Sequence, residues 1–349
     1  MDSRLGVVQA VFCKTIKMTQ RINYIDRMKG LAILIVVFVH VYVYILGIHN
    51  QWGDRICASI ETPSLQIPLF MFISGFVAYL PSETGVAIHQ RLKRRFLSYI
   101  FPAFSVYYAL ALYNYVVLGY RDIDVVSTLI GGLWYLKALA IFVCLQAIIV
   151  KIKRIYWALA FIVMMECLFF VGWKASPFLH SLFCLEHCFF SYPFFMLGYY
   201  FRCYKLMEYL QGKIGLFTIC LVDYLTWNNE YDFHLLRFLS ERIVHPLCVI
   251  LVITWIFARR KDEENRLERW LNGMGTKTLD IYIYHEFLIR GSFSWFDLSM
   301  LKQNEAMQAN PMSYLLLALV ISLFLMYLSI YIGALIRKSH ILSKIVYGK

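Results

Sequence analysis

The chain has 349 residues, 60% hydrophobic and 16% charged, with a mean hydropathy of +0.61 and a formal net charge of +12. A soluble domain is about 45–50% apolar and about 25% charged. The excess excludes a soluble globular domain, a disordered chain and a collagen-like chain, and leaves a polytopic membrane protein.

The N-terminal stretch MDSRLGVVQAVFCKTIKMTQR is too short and broken in its apolar part for a signal peptide, so the first long apolar run is expected to act as signal and first span. Ten apolar segments follow, near 28–48, 64–80, 96–118, 131–150, 155–173, 187–203, 214–229, 243–258, 276–292 and 313–336. The expectation is an all-α polytopic protein of about ten transmembrane helices, one domain over 1–349 with spans from about 28 to 336. Lys and Arg cluster between these runs. Alternate loops hold 26 of them on one side and 7 on the other, with Lys137 inside a span. The positive-inside rule then predicts both termini in the cytoplasm. The same clustering argues for the lipid bilayer, and not nucleic acid, as the reason for the net charge.

In chain order, His40 is the first polar residue deep in an apolar run, GLAILIVVFVH. It lies eleven residues beyond Lys29, about 16 Å along a helix and close to three full turns. The two therefore share a face, with Lys29 at the cytoplasmic rim and His40 near mid-depth. Such a His either lines a cavity or bonds to a neighbouring helix as packing glue. Arg91, Lys93, Arg94 and Arg95 precede the third segment. They are either positive-inside charge or a cradle for phosphates, which guanidinium forks bind bidentately. Lys137 and Glu166 suggest an intramembrane ion pair, and Asp223 an interfacial carboxylate. The ninth segment, TLDIYIYHEFLIR, carries Asp280, His285, Glu286 and Arg290. That load favours a cavity-lining role for His285, with Glu286 and Arg290 spaced to pair on one face.

No metal is expected. Asp122-Ile-Asp124 lies in a short predicted outer loop, and Cys184-Leu-Glu186-His187-Cys188 would need further ligands for a closed zinc site. The nine Cys show no C-x-x-C pair, so a disulfide scaffold is not expected. Whether Cys57, Cys184 and Cys188 pair stays open, and the sequence says nothing of oligomeric state.

Taken together and in order, several segments resemble the integral-membrane acyltransferase 3 family. They are YIDRMKGLAILIVVFVH, IPLFMFISGFVAYL, RLKRRFLSYIFP, GGLWYLKALAIF, YPFFMLGYYF and LDIYIYHEFLIR. The resemblance implies a membrane O-acyltransferase that moves an acetyl or similar acyl group from acyl-CoA to a sugar hydroxyl. The acceptor is an envelope polysaccharide or its lipid-linked precursor, and the place is the bacterial cytoplasmic membrane. It implies acetyl-CoA as co-substrate, His40 as the essential first-span His, and Arg91 and Arg94 as the R-x-x-R pair. Lys29 stands where many members carry Arg, and keeps the charge without the bidentate fork. No soluble domain is expected after the tenth span.

A sugar hydroxyl is a poor nucleophile at neutral pH. A neutral His40 is the candidate to take its proton as it attacks the thioester, or to carry the acyl group itself. Arg91, Arg94 and Lys29 are the candidates to hold the CoA phosphates. Ser74, Tyr135, His285 and Glu286 are cavity-lining candidates, with Ser74, Tyr135 or a backbone N–H as oxyanion donor. The competing reading is a carrier or exporter without chemistry, for which Lys137, Glu166, Asp280 and Glu286 would be coupling groups; no pair of related halves supports it. A structural membrane subunit is the third reading.

Overall fold

A computed structural model describes residues 23–46, 65–79, 85–117, 133–152, 154–210, 213–227, 240–259, 265–290 and 311–348. These residues are helical almost throughout, with no strand among them. Helix α1 (Asn23–His40) continues as a π-helical stretch, Val41–Leu46. Then come α2 (Gln66–Ala78), α3 (Gly85–Val117), α4 (Trp134–Ile149), α5 (Ile155–Ala175), the short α6 (Pro177–Phe183), α7 (Leu185–Cys203), α8 (Leu206–Leu210), α9 (Lys213–Trp227), and α10 (His245–Arg259) after a second π-helical stretch. The chain closes with α11 (Arg266–Thr276), α12 (Thr278–Arg290), α13 (Pro311–Lys338) and α14 (His340–Tyr347).

Each of the ten predicted apolar segments holds one of these helices. Five described helices are long and apolar enough to cross a bilayer: Asn23–Leu46, His89–Tyr113, Ile155–Ala175, Arg242–Arg259 and Met312–Lys338. Three more, Gln66–Ala78, Trp134–Ile149 and Gly215–Leu225, are apolar but shorter. Large apolar side chains point outward, including Trp157, Val163 and Val171 on α5, Phe217 on α9, and Leu316, Val320 and Phe324 on α13. A water-soluble protein would expose few such contiguous surfaces, whereas hydrocarbon solvates them without cost. This is a membrane protein.

The interior is organised by two glycine-mediated crossings. A Cβ on Gly75 of α2 would lie 1.8 Å from the Phe195 carbonyl oxygen of α7, and one on Gly198 of α7 would lie 1.9 Å from the Phe72 carbonyl oxygen of α2. The same reciprocity joins α1 to α11, where Gly30 faces the Leu271 carbonyl and Gly275 the Asp26 carbonyl. Only Gly lets two backbones approach so closely, which is how helices associate where no hydrophobic force drives them together.

Helix α2 stops early, and its last carbonyls find side-chain donors. Arg202 donates to Phe76 O at 3.2 Å, Arg95 to Val77 O at 3.0 Å and Ala78 O at 3.1 Å, and Gln146 to Ala78 O at 2.6 Å. These bonds satisfy groups that hydrocarbon would leave unpaired at a cost of several kcal/mol each. Helix α11 begins with a capping box between Asn265 and Glu268, and Glu268 also pairs with Arg27 of α1 at 3.4 Å. The cap and the glycine crossing together set the register of α11 on α1.

Candidate active site

His40 is the last residue of regular α-helix before α1 turns π-helical, a distortion that often marks functional positions. Opposite it runs a stripe of α12. Thr278, Leu279, Tyr282, His285 and Glu286 recur at three- and four-residue spacing and so share one helix face. The two elements meet at the level of His40. His40 Nδ1 lies 3.1 Å from His285 Nε2 and 3.4 Å from Glu286 Oε2. His285 is fully buried, and the side chains of His40 and Glu286 are 24% and 13% exposed.

The proton positions follow from a fourth group. His285 Nδ1 stands 2.7 Å from the carbonyl oxygen of Ile281, one turn back along α12. A carbonyl only accepts, so His285 Nδ1 carries the hydrogen and, in the neutral ring, Nε2 carries the lone pair. His40 Nδ1–H then donates to His285 Nε2, with the Glu286 carboxylate close to the same hydrogen. His40 Nε2 is left as the basic nitrogen of its ring. The ring centres are 5.3 Å apart and the planes 16° from parallel. A ring nitrogen lies about 1.2 Å from its ring centre, so a 3.1 Å contact allows at most roughly 5.5 Å between centres, reached when both nitrogens lie on the line joining them. The observed separation is near that limit. The rings therefore meet end to end, as a linear N–H···N bond requires.

Among the described residues, His40, His285 and Glu286 could hold a metal, since one ligand atom from each falls within 4.8 Å of the others. The near-linear approach of the two rings suits a shared hydrogen better than two lone pairs converging on one ion at a tetrahedral angle.

Below the histidines lies a cavity of about 260 Å³. Its wall includes Lys29, Ser74, Tyr99, Tyr135, Thr276 and Tyr282. Lys29 bonds Asp26 at 3.1 Å, and Ser74 Oγ and the Tyr135 hydroxyl are 2.8 Å apart. The Tyr282 ring joins the cavity to the histidines, 5.2 Å from Tyr135 and 5.9 Å from His285, centre to centre. Lys29, Ser74 and Tyr135 thus share one chamber, and His40, His285 and Glu286 form the polar cluster beyond Tyr282.

Arg91 and Arg94 are not among the residues lining this cavity. Both lie on α3 toward its N-terminal side, Arg94 exposed and Arg91 half-buried. The neighbour that reaches inward is Arg95, which caps α2 beside the cavity residue Val77. The sequence grouped Arg95 with Arg91, Lys93 and Arg94 without singling it out, and Tyr99, Thr276 and Tyr282 were passed over. The α12 stripe was the available signal for Tyr282. Nothing local marked the others.

Elsewhere, Glu286 reaches His40 (the side chain of Arg290 lies outside the described residues). Lys137 donates to the Leu182 carbonyl at 3.5 Å, while Glu166 Oε1 is buried with no hydrogen-bond partner among the described residues. Asp223 meets His245 at 2.7 Å. Asp280 is held by both Arg337 terminal nitrogens at 2.6 and 2.5 Å and accepts from the Tyr347 hydroxyl at 2.8 Å. Burial, then hydrogen bonds to Tyr284 and Asp280, push the Tyr347 phenol far above its usual range, so it remains a donor. Cys184 and Cys188 are free thiols. Cys57, Asp122 and Asp124 lie outside the described residues.

Against known families, the model described as "Acyltransferase domain", acyltransferase 3, matches residues 22–331. No curated protein and no solved structure matches the chain.

Proposed function

The chain belongs to the acyltransferase 3 family, a membrane acyltransferase over nearly its whole length, and on that premise we propose that it moves an acetyl or similar acyl group from acyl-CoA to a sugar hydroxyl. The acceptor in this reading is an envelope polysaccharide or its lipid-linked precursor. The protein crosses the bacterial cytoplasmic membrane ten times with both termini in the cytoplasm, as the 26-to-7 division of Lys and Arg argues.

One observation carries the chemistry. His40 has its Nδ1–H committed to His285 and Glu286, which makes Nε2 the base. The acceptor hydroxyl gives its proton to His40 Nε2 as its oxygen attacks the thioester carbonyl carbon. Glu286 lies beside the imidazolium that forms, and His285 holds the ring in orientation, the role a buried carboxylate plays in hydrolase triads. When the tetrahedral intermediate collapses, the C–S bond breaks and the proton passes from His40 to the departing thiolate. The ester and free CoA result, and His40 is neutral again. A positioned base of this kind contributes roughly 10²–10⁴-fold. Tyr135, bonded to Ser74 in the chamber, is the candidate donor to the oxyanion. Lys29 at the chamber wall, with Arg91 and Arg94 on α3, supplies cations for the donor's phosphates.

The test is transfer of label from acetyl-CoA into glycan by membranes holding wild type or His40→Ala at equal abundance. Label with wild type and none with the variant is the expected result. Undiminished label in His40→Ala would remove His40 as base, and label in neither would remove acetyl-CoA or the glycan as substrate.

A further inference from the structure

Helix α11 carries a second, open pocket of about 250 Å³ lined by Asn23, Arg269, Asn272, Gly273 and Thr276. Thr276 also lines the chamber that leads to Tyr282 and the histidines, so the two spaces meet at one residue. Gly273 is unlike the glycines that organise the fold. A Cβ on Gly30, Gly75, Gly198 or Gly275 would strike a backbone carbonyl, whereas one on Gly273 would meet nothing within 4 Å. A helix-interior Gly costs about 1 kcal/mol relative to Ala, and no contact among the described residues explains this one. It keeps a surface clear beside Arg269. Among the described residues the local charge balance is positive. Glu268 and Asp26 are already paired with Arg27 and Lys29, while Arg266, Arg269 and Lys277 are exposed.

We propose that this pocket on α11 receives the phosphate-bearing nucleotide end of the acyl-CoA donor, so that the donor runs from α11 past Thr276 and Lys29 into the chamber. The proposal rests on the acyl-CoA reading above and deepens it. Asn23 is seventeen residues before His40 on α1, which places the pocket about 25 Å from the reacting centre along the helix. A bare nucleotide is too short for that span, and a nucleotide bearing a long pantetheine-type arm is suited to it. Arg269 offers the guanidinium fork that matches phosphate, Asn23 and Asn272 offer amide donors, and Gly273 permits close approach. The head group of an anionic lipid shares this phosphate chemistry, and the experiment separates the two sources.

Full-length protein in zwitterionic detergent is titrated calorimetrically with CoA and with pantetheine. The variants are Gly273→Glu, which fills and repels, and Arg269→Gln, each required to keep the wild-type melting profile. Loss of a charge-assisted phosphate contact weakens binding by about tenfold or more. The expected result is that weakening for CoA in both Gly273→Glu and Arg269→Gln, with pantetheine affinity unchanged in every variant. Wild-type CoA affinity retained by both variants would overturn the proposal while leaving the acyl-CoA reading intact. Failure of wild type itself to bind CoA would bring down both. Binding of phosphatidylglycerol nanodiscs lost in the two variants, with CoA affinity unaltered, would make a lipid head group the occupant and overturn the proposal.

Discussion

Replacing His285 with Ala removes the acceptor for His40 Nδ1–H at 3.1 Å, in a place where His285 is fully buried. In the proposed mechanism both rings are neutral in the ground state, where an ordinary hydrogen bond contributes about 1 kcal/mol. In the transition state His40 becomes an imidazolium, so the same bond becomes charge-assisted and contributes about 1.5–3 kcal/mol. Glu286, at 3.4 Å, stays in place and retains part of the orientation. Only the difference between the two states, about 0.5–2 kcal/mol, raises the barrier, so kcat should fall by about 2- to 30-fold. KM for the acyl donor should change little, because His285 does not line the chamber. The assay is steady-state label transfer with purified protein in lipid nanodiscs, for wild type, His285→Ala, His40→Ala and the double variant. His285 acts only through His40, so the double variant should be no slower than His40→Ala. A wild-type kcat in His285→Ala would refute the orientation argument. A double variant much slower than His40→Ala would show that His285 acts on substrate by itself.

Tyr135→Phe removes one partner of the Ser74–Tyr135 bond; if the phenol is the oxyanion donor, kcat should fall by about 10²–10³-fold, and a change under about threefold would reassign that role. Gly75→Ala and Gly198→Ala each drive a Cβ to within 2 Å of a backbone carbonyl oxygen, so both should abolish a monodisperse peak in detergent chromatography, whereas Gly273→Ala should raise the melting midpoint, by about 1 kcal/mol of helix propensity. Tyr347→Phe removes one bond to Asp280 and should cost about 1 kcal/mol. Arg337→Ala leaves the Asp280 carboxylate buried without its cation and should cost about 3 kcal/mol, and thermal unfolding that ranks the two the other way would refute the ion-pair account of this corner.

Composition and the spacing of apolar runs determined the class of protein and the position of its helices. A backbone in hydrocarbon must satisfy its polar groups within the segment, so a long apolar run has little choice but to be helical. Helical periodicity put Lys29 and His40 on one face and marked His285 and Glu286 on α12, where the same spacing also offered Tyr282, unremarked. That much is local, and it was legible. Which stripe faces which is not local. His40 and His285 are 245 positions apart, and nothing in either run names the other. Their meeting depends on how α1 and α12 pack, which the Gly30–Leu271 and Gly275–Asp26 approaches help to impose. The same reason separates Arg95 from its neighbours. Four basic residues within five positions read alike, and only the end of α2 selects the one whose fork reaches the Val77 and Ala78 carbonyls. Gly273 reads like any other helix glycine until the space above it is seen to be empty. Residue type and periodicity decide what a helix face can offer, and tertiary packing decides what it meets.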